Sequence, residues 1–181
     1  WINPDVLAVD AGAVRKANDN GIDLPFALQT DPTTSSSFGL AISRGNIGTA
    51  ASVLVAGTWV HVAGVYDGSQ VGNAGRVKFY KDGVDQSLTF VGTIPASMPD
   101  AGIRGVQIGL GLTAVGGNSW FNAKIAHIKI WTAALTAAQV AQEMWSIRPT
   151  QTVSIYTQNP LNDSTTAGDY SGNALHGTVT G

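Results

Sequence analysis

Apolar and polar positions alternate along this chain in short runs, and the pattern predicts strands almost throughout. Residues 59–66 place Trp, Val, Ala and Tyr on both pleat faces, as expected of a strand inside a two-layer β structure. Residues 77–80 form a second short strand. Asp82 and Gly83 follow it as a two-residue hairpin signal, because both turn positions must tolerate φ > 0. Residues 85–91 are the expected partner strand. Residues 37–44 put Phe38, Leu40 and Ile42 on one face of a half-buried strand. Residues 6–16 and 24–30 are strand candidates around a turn at 18–21, with Pro25 weakening the start of the second. Further strands are expected over 50–55, 103–110 and 151–158. Residues 118–131 read as one long strand with a bulge near Ala123. Its Ile128 and Ile130 share one face, and His127, Lys129 and Trp131 share the other. Residues 31–37 and 92–102 are loops.

One segment has helical rather than strand periodicity. Over residues 136–147, Thr136 as N-cap and Gln139 make a capping box, and Leu135 and Val140 sit at the staple positions. Val140 and Met144 share a face with Ala137 and Ala141, and Pro149 follows the end. Met144 and Trp145 are expected as packing residues.

Composition narrows the function classes. The chain has 181 residues, 44% of them hydrophobic and only 12% charged. That length supports a core burying about 70% of the unfolded surface. The 22 glycines suit many short strands joined by turns. A net charge of −2 without a basic patch argues against nucleic-acid binding. No apolar run is long enough to span a bilayer, so no membrane insertion is expected. The absence of cysteine excludes disulfides and thiolate metal sites. The chain opens at Trp1 rather than at Met, so a processed product, an excised segment or one part of something longer is expected.

Two stretches carry a family resemblance. WVHVAGVYDGS at 59–69 with VKFYKDGV at 77–84 resembles the central hairpin of laminin-G-like (concanavalin-A-like, pentraxin-like) jelly rolls. Asp169-Tyr-Ser-Gly-Asn173 with His176-Gly-Thr-Val resembles the segment that normally opens such a domain. WINP at the start resembles the end of the strand before the hairpin, which would place Trp1 within a strand. The resemblance implies an all-β, two-sheet antiparallel jelly-roll sandwich with one short helix near 136–147. Because the opening-type segment follows the closing helix, two organisations are open. One is a single, circularly permuted domain over 1–181 with 151–181 supplying the usual first strands; the other is a domain followed by the start of a second copy. The single sandwich is favoured because nothing resembling a linker separates Trp145 from the strand at Val153.

The candidate chemistry is sparse. Glucanases of this fold use paired carboxylates, whereas this chain has a single Glu, Glu143, on the helix. No strand carries two acids on one face, so no catalytic residue and no enzymatic activity are expected. His61, His127 and His176 form no ligand pair, and His61 and His127 are expected as packed, hydrogen-bonded strand residues. GLGLTA at 109–114 lacks the helix a dinucleotide loop requires. The family resemblance implies a calcium site using Asp169 and Asn173. A tight Asx/Gly loop can offer the oxygens that a hard cation wants, but the matching strand acid is replaced by Ala126. The alternative for this loop is a metal-free Asx turn. Candidate ligand-binding residues at the loops are Tyr66, Asp67, Asn73, Asn118 and Trp120. The expectation is a non-catalytic recognition or attachment module for a glycan or protein surface, in a larger extracellular or virion protein. The alternative is a structural decoration or fibre part of a bacteriophage particle, docked on capsid or fibre proteins.

Overall fold

The computed structural model describes residues 1–16, 24–100, 105–112, 118–157 and 166–178. In chain order the strands and helices begin with β1 (Ile2–Pro4), β2 (Gly12–Lys16), β3 (Phe26–Thr30), β4 (Phe38–Ala41), β5 (Ile47–Ala50) and β6 (Val62–Tyr66). Next come α1 (Asn73–Arg76), β7 (Val77–Lys81), β8 (Val84–Asp85), β9 (Thr89–Val91), β10 (Val106–Ile108), β11 (Leu110–Leu112) and β12 (Asn118–Trp120). The chain continues through β13 (Ala123–Ile125), β14 (Ile128–Trp131), α2 (Ala137–Trp145), β15 (Val153–Thr157), β16 (Thr166–Ala167) and β17 (Gly177–Thr178).

The all-β sandwich is present. One layer is a six-stranded sheet in the order β10-β2-β3-β4-β5-β9, antiparallel throughout. The facing layer is assembled from β6-β7-β8, β1-β13 and β14-β15. An Ile2–Val60 bridge and reciprocal Trp1–Ala126 backbone hydrogen bonds of 2.9 Å join its parts. Between the layers, Phe38 stacks obliquely on Phe79 and Phe121 at centroid distances of 6.1 and 6.0 Å. Phe38, Phe79, Ile42, Ile94, Val53 and Val77 are the largest fully buried apolar side chains. All four residues of β4 are buried, because β4 is central in its sheet and its neighbour β5 lies very close. That approach depends on Gly39, where a Cβ would strike the Gly48 carbonyl.

The Asp82-Gly83 turn has φ of 49° and 78°, as the hairpin signal predicts. Asp82 also binds back to the strand opposite, since its Oδ1 accepts the His61 N–H at 2.9 Å and its own N–H donates to the His61 carbonyl. The expected partner over 85–91 breaks in two. β8 stays in the hairpin, whereas β9 crosses to the other sheet and pairs with β5. Residues 50–55 are mostly turn and loop; the strand there is the earlier Ile47–Ala50. The region 103–110 divides at Gly109, whose φ of 76° ends β10 and starts the β11–β12 ribbon. The predicted long strand over 118–131 is three strands. It breaks next to the expected bulge, at 121–122, and again at His127, which takes a left-handed φ of 52° and so is a junction rather than a mid-strand residue. The turn at 18–21 lies outside the described residues. β15 pairs with β14, and β17 pairs with β16.

The second helix forms with the expected capping box at Thr136 and Gln139. Its buried residues are Val140 and Glu143, while Ala137 and Ala141 are exposed. Trp145 is 73% exposed and touches the Trp1 ring at 5.5 Å instead of entering the core. Glu143 replaces the alanines on the inner face because Lys129 meets it there. The Lys129 ammonium donates to Glu143 Oε2 at 3.0 Å, to the Glu143 carbonyl at 2.8 Å and to the Ser146 carbonyl at 2.6 Å. Glu143 Oε1 accepts the Thr150 N–H and hydroxyl, both at 2.7 Å, and the Gln151 N–H at 2.9 Å. Burial alone would raise the Glu143 pKa; the Thr150 hydroxyl, Lys129 and the two backbone N–H groups outweigh it and hold it below the ordinary carboxylate value.

Two variants test this scaffold by thermal or urea unfolding. Gly39→Ala should lose about 1–3 kcal/mol, because the methyl meets backbone that cannot yield. Glu143→Ala should lose about 3–5 kcal/mol, because it strands a buried ammonium and three donors. A domain of this size loses about 2–4 °C in Tm for each kcal/mol. The Glu143 contribution is fully present above the unfolded carboxyl's value near 4.5 and disappears as pH falls through the lower folded value. The difference between wild type and Glu143→Ala should therefore shrink in acid.

Candidate functional site

Three loops meet at one end of the sandwich: 43–46 after β4, 67–72 after β6, and 92–100 after β9. Asp67 opens the middle one. Its N–H donates to the Arg76 carbonyl, and its Oδ1 accepts the Ser69 N–H at 3.0 Å and the Ser69 hydroxyl at 2.6 Å. Its Oδ2 accepts the Gln70 amide at 3.0 Å. This is an Asx turn, the local competitor to a continued ladder that Asp favours. The Ser69 hydroxyl, followed by Gln70 and the Ser69 N–H, holds the Asp67 pKa below its ordinary value. The chain then closes one helical turn, α1.

Side chains tie these loops to one another. Asn73 uses both ends of its amide, donating to the Gly92 carbonyl at 3.0 Å and accepting the Ile94 N–H at 2.9 Å. Tyr66 donates its hydroxyl to the Pro95 carbonyl at 2.9 Å. Arg76 donates to the carbonyls of Gln70 and Ile94 at 3.0 and 2.7 Å, and Asn46 Oδ1 accepts the Thr93 N–H at 2.9 Å. Gly68 lies so close to the Ala96 carbonyl that a Cβ there would strike it. The tip that emerges from this framework is Ser69, Gln70 and Val71, and Val71 is 90% exposed.

The predicted ligand residues divide between places. Tyr66, Asp67 and Asn73 come together at this rim, where Tyr66 and Asn73 act as cross-loop ties. Asn118 and Trp120 lie on the β11–β12 ribbon, opposite Leu112 and Leu110. That ribbon is anchored beside the start of β2 by the Gly109 N–H to Ala13 carbonyl bond, away from the rim. Trp120 is 60% exposed there. Sequence reasoning missed Asn46 and Arg76, which lie in no motif, and Val71, whose apolar side chain in a Gly/Ser loop was the available signal.

Asp169 and Asn173 share a third location, the turn before β17. Asp169 Oδ1 accepts the Ser171 N–H at 2.9 Å, and Oδ2 accepts the Ser171 hydroxyl at 2.7 Å and the Leu175 N–H at 3.0 Å. Asn173 donates its amide and its backbone N–H to the Ser171 hydroxyl oxygen. The Ala126 carbonyl, at the position of the missing strand acid, accepts the Trp1 amine. No group of three His, Cys, Asp or Glu residues gathers among the described residues. A hard cation needs six to eight converging oxygens. Among the described residues this loop supplies one carboxylate, whose oxygens accept from Ser171 and Leu175.

The histidines depart from the expected hydrogen-bonded role. His61 and His127 each bury an Nδ1 without a hydrogen-bond partner among the described residues. Burial, followed by the charge of the Trp1 amine, lowers the His61 pKa to about 4 and keeps the ring neutral. The Trp1 ring packs edge-on against it at 5.4 Å.

A laminin-G-type family model, described as the concanavalin A-like lectin/glucanases superfamily, matches residues 1–141. No curated protein matches the chain. The match covers both sheets' main strands, the hairpin at Asp82-Gly83 and the start of α2, and the chain belongs to the laminin-G-like branch of the concanavalin A-like lectin/glucanase superfamily.

Proposed function

We propose that this domain is a non-catalytic recognition module that contacts a glycan or protein surface through the rim formed by loops 43–46, 67–76 and 92–100. One observation carries the reading: four side chains, Asn46, Tyr66, Asn73 and Arg76, fix the loops to one another and leave a polar tip around an almost fully exposed Val71. A rigid scaffold presenting a small projecting tip is how loops carry binding. The superfamily includes glucanases, and the chemistry of this chain argues against that branch. Its single Glu is buried in an ion pair with Lys129, with both oxygens engaged. An extracellular or virion-surface setting belongs to the same reading, and a weakly charged, cysteine-free chain is compatible with it.

A glycan array probed with the 181-residue chain tests the rim. Binding that falls at least tenfold in Val71→Asp and survives in Trp120→Ala supports it; the reverse pattern moves the site to the β11–β12 ribbon. Silence on the array, with capture of a defined capsid or surface protein that Val71→Asp abolishes, makes the ligand a protein. For the Asp169 loop we propose a turn closed by its own hydrogen bonds. Millimolar calcium should leave Tm unchanged, while Asp169→Ala should cost about 1–3 kcal/mol of stability, because it orphans the donors its carboxylate accepts. A calcium-dependent rise in Tm that Asp169→Ala removes would establish a metal site.

A further inference from the structure

Arg15 follows Val14 in β2. Val14 stands opposite Leu28 and lines the space between the layers. Side chains alternate along a strand, so Arg15 points to the outer face of the six-stranded sheet. Its cross-strand neighbours there are Ala27 on β3 and Gln107 on β10. This part of the outer face is recessed: Leu24 packs with Ala27, Ala41 and Ile47, and Arg15 is only 4% exposed.

The guanidinium sits in that recess without a counter-charge. Nε donates to Gln107 Oε1 at 2.7 Å, which is the side chain's one hydrogen bond among the described residues. Nη1 is buried with no partner among them. Burial lowers the Arg15 pKa, and no carboxylate acts against it. The acids that meet this face do so two residues further along the strands, through Gln29 and Thr49, which flank Gly39. Asp10 accepts the Gln29 amide at 3.5 Å. Asp31 accepts from Thr33 and Thr34 through one oxygen and from Thr49 through the other. An ion taken out of water without a counter-ion costs stability, and the alanines in the same row show that the sheet does not need one there. Unsatisfied buried donors call for a cause, and a cost of this kind is kept where binding requires it.

We propose that Arg15 and Gln107 form a subsite for the carboxylate of an acidic saccharide. Gln107 holds the guanidinium by Nε, which leaves Nη1 and Nη2 as two parallel donors matched to the two oxygens of a carboxylate. Gln107 accepts through Oε1, so its amide nitrogen remains beside the guanidinium as a further donor. A set of donors with no acceptor selects an oxyanion, and the amide adds a demand for one more oxygen next to it. A uronic acid meets that demand, because its ring oxygen and a hydroxyl flank the carboxylate. An Asp or Glu side chain carries neither. Among the described strands β10 is the edge of its sheet, and Gln107 is half-buried, so the pair lies one strand in from that edge. The subsite does not depend on the rim tip at Val71, which follows β6 in the other layer.

Titration of the 181-residue chain with glucuronate, glucose and inorganic phosphate tests this, with the Arg15 Nε–H resonance and Tm as readouts. Glucuronate should shift the resonance saturably and raise Tm. Glucose should do neither, and phosphate should bind about tenfold more weakly. Arg15→Met removes the buried charge; it should melt at or above the wild type and lose the glucuronate response. Gln107→Leu keeps the guanidinium and should weaken glucuronate about tenfold, which preserves the test if Arg15→Met does not fold. Val71→Asp should leave glucuronate binding intact, so the subsite and the rim are read separately. No glucuronate response in the wild type, or one that Gln107→Leu and Arg15→Met both retain, would overturn the proposal. Phosphate binding as tightly as glucuronate would overturn the saccharide assignment. N-acetylaspartate binding as tightly would assign the subsite to an acidic peptide and overturn it equally.

Discussion

The Lys129–Glu143 pair is the constraint on which one whole edge of the molecule depends. With side-chain exposures of 5% and 2%, both ions have left water, a loss that Coulomb attraction alone does not reliably offset. The pair is tolerable because each ammonium hydrogen has an acceptor and Glu143 Oε1 holds three donors. The partners also explain why the pair is there. Two of the three acceptors for Lys129 are carbonyls in the last turn of α2 and its cap, the groups a helix cannot satisfy internally. The three donors on Glu143 belong to the segment that leads into β15. One ion pair thus fixes a strand, the end of a helix and the start of the next strand, and it occupies the only carboxylate of the type that glucanase chemistry on this fold would use.

The same rule, that buried polar groups must be paired, builds the rim by neutral means. The loops after β4, β6 and β9 reach the core through Ile42 and Ile94. Asn46, Asn73, Tyr66 and Arg76 bond their backbone groups across the gaps. Amide side chains suit this because one group can donate and accept at once, as Asn73 does toward Gly92 and Ile94 of the same loop. The consequence for function is subtractive. Residues that look like ligand contacts in sequence, a Tyr and an Asn at a loop, are already engaged inside the scaffold, and what faces outward is the Ser69–Gln70–Val71 tip.

That distinction sets the limit of what the sequence revealed. Strand identity and the Asp82-Gly83 turn were legible because local periodicity and φ requirements decide them. The capping box of α2 was legible for the same reason. The fate of residues 85–91 was not, since only pairing with β5 carries Thr89 into the other sheet. Lys129 was legible as a strand residue, and it lies in β14. Its partner was not visible, because the alanines of α2 gave an equally good apolar stripe and nothing local marks Glu143 as the inward residue. The family resemblance pointed to the Asp169–Asn173 loop, but the carboxylate's hydrogen bonds depend on how Ser171 and Leu175 fold back.

Pairing also distinguishes the two layers among the described residues. The six-stranded sheet has its ladder filled from β10 to β9, whereas the facing layer is held together at its centre by one bridge at Ile2 and the Trp1–Ala126 bonds. His127 takes a left-handed conformation where β13 hands over to β14, so the layer changes direction at the point where β1 gives out. An edge strand with half-buried apolar residues on either side of a gap is normally covered, charged or bulged. β6 carries no charged residue, and β14 carries Lys129, which points to Glu143, and a register shift between Ile130 and Trp131. The two edges face one another over an apolar floor, and the rim's middle loop springs directly from one of them. β6 thus links that edge to the rim, because Tyr66 ends the strand and Asp67 follows it.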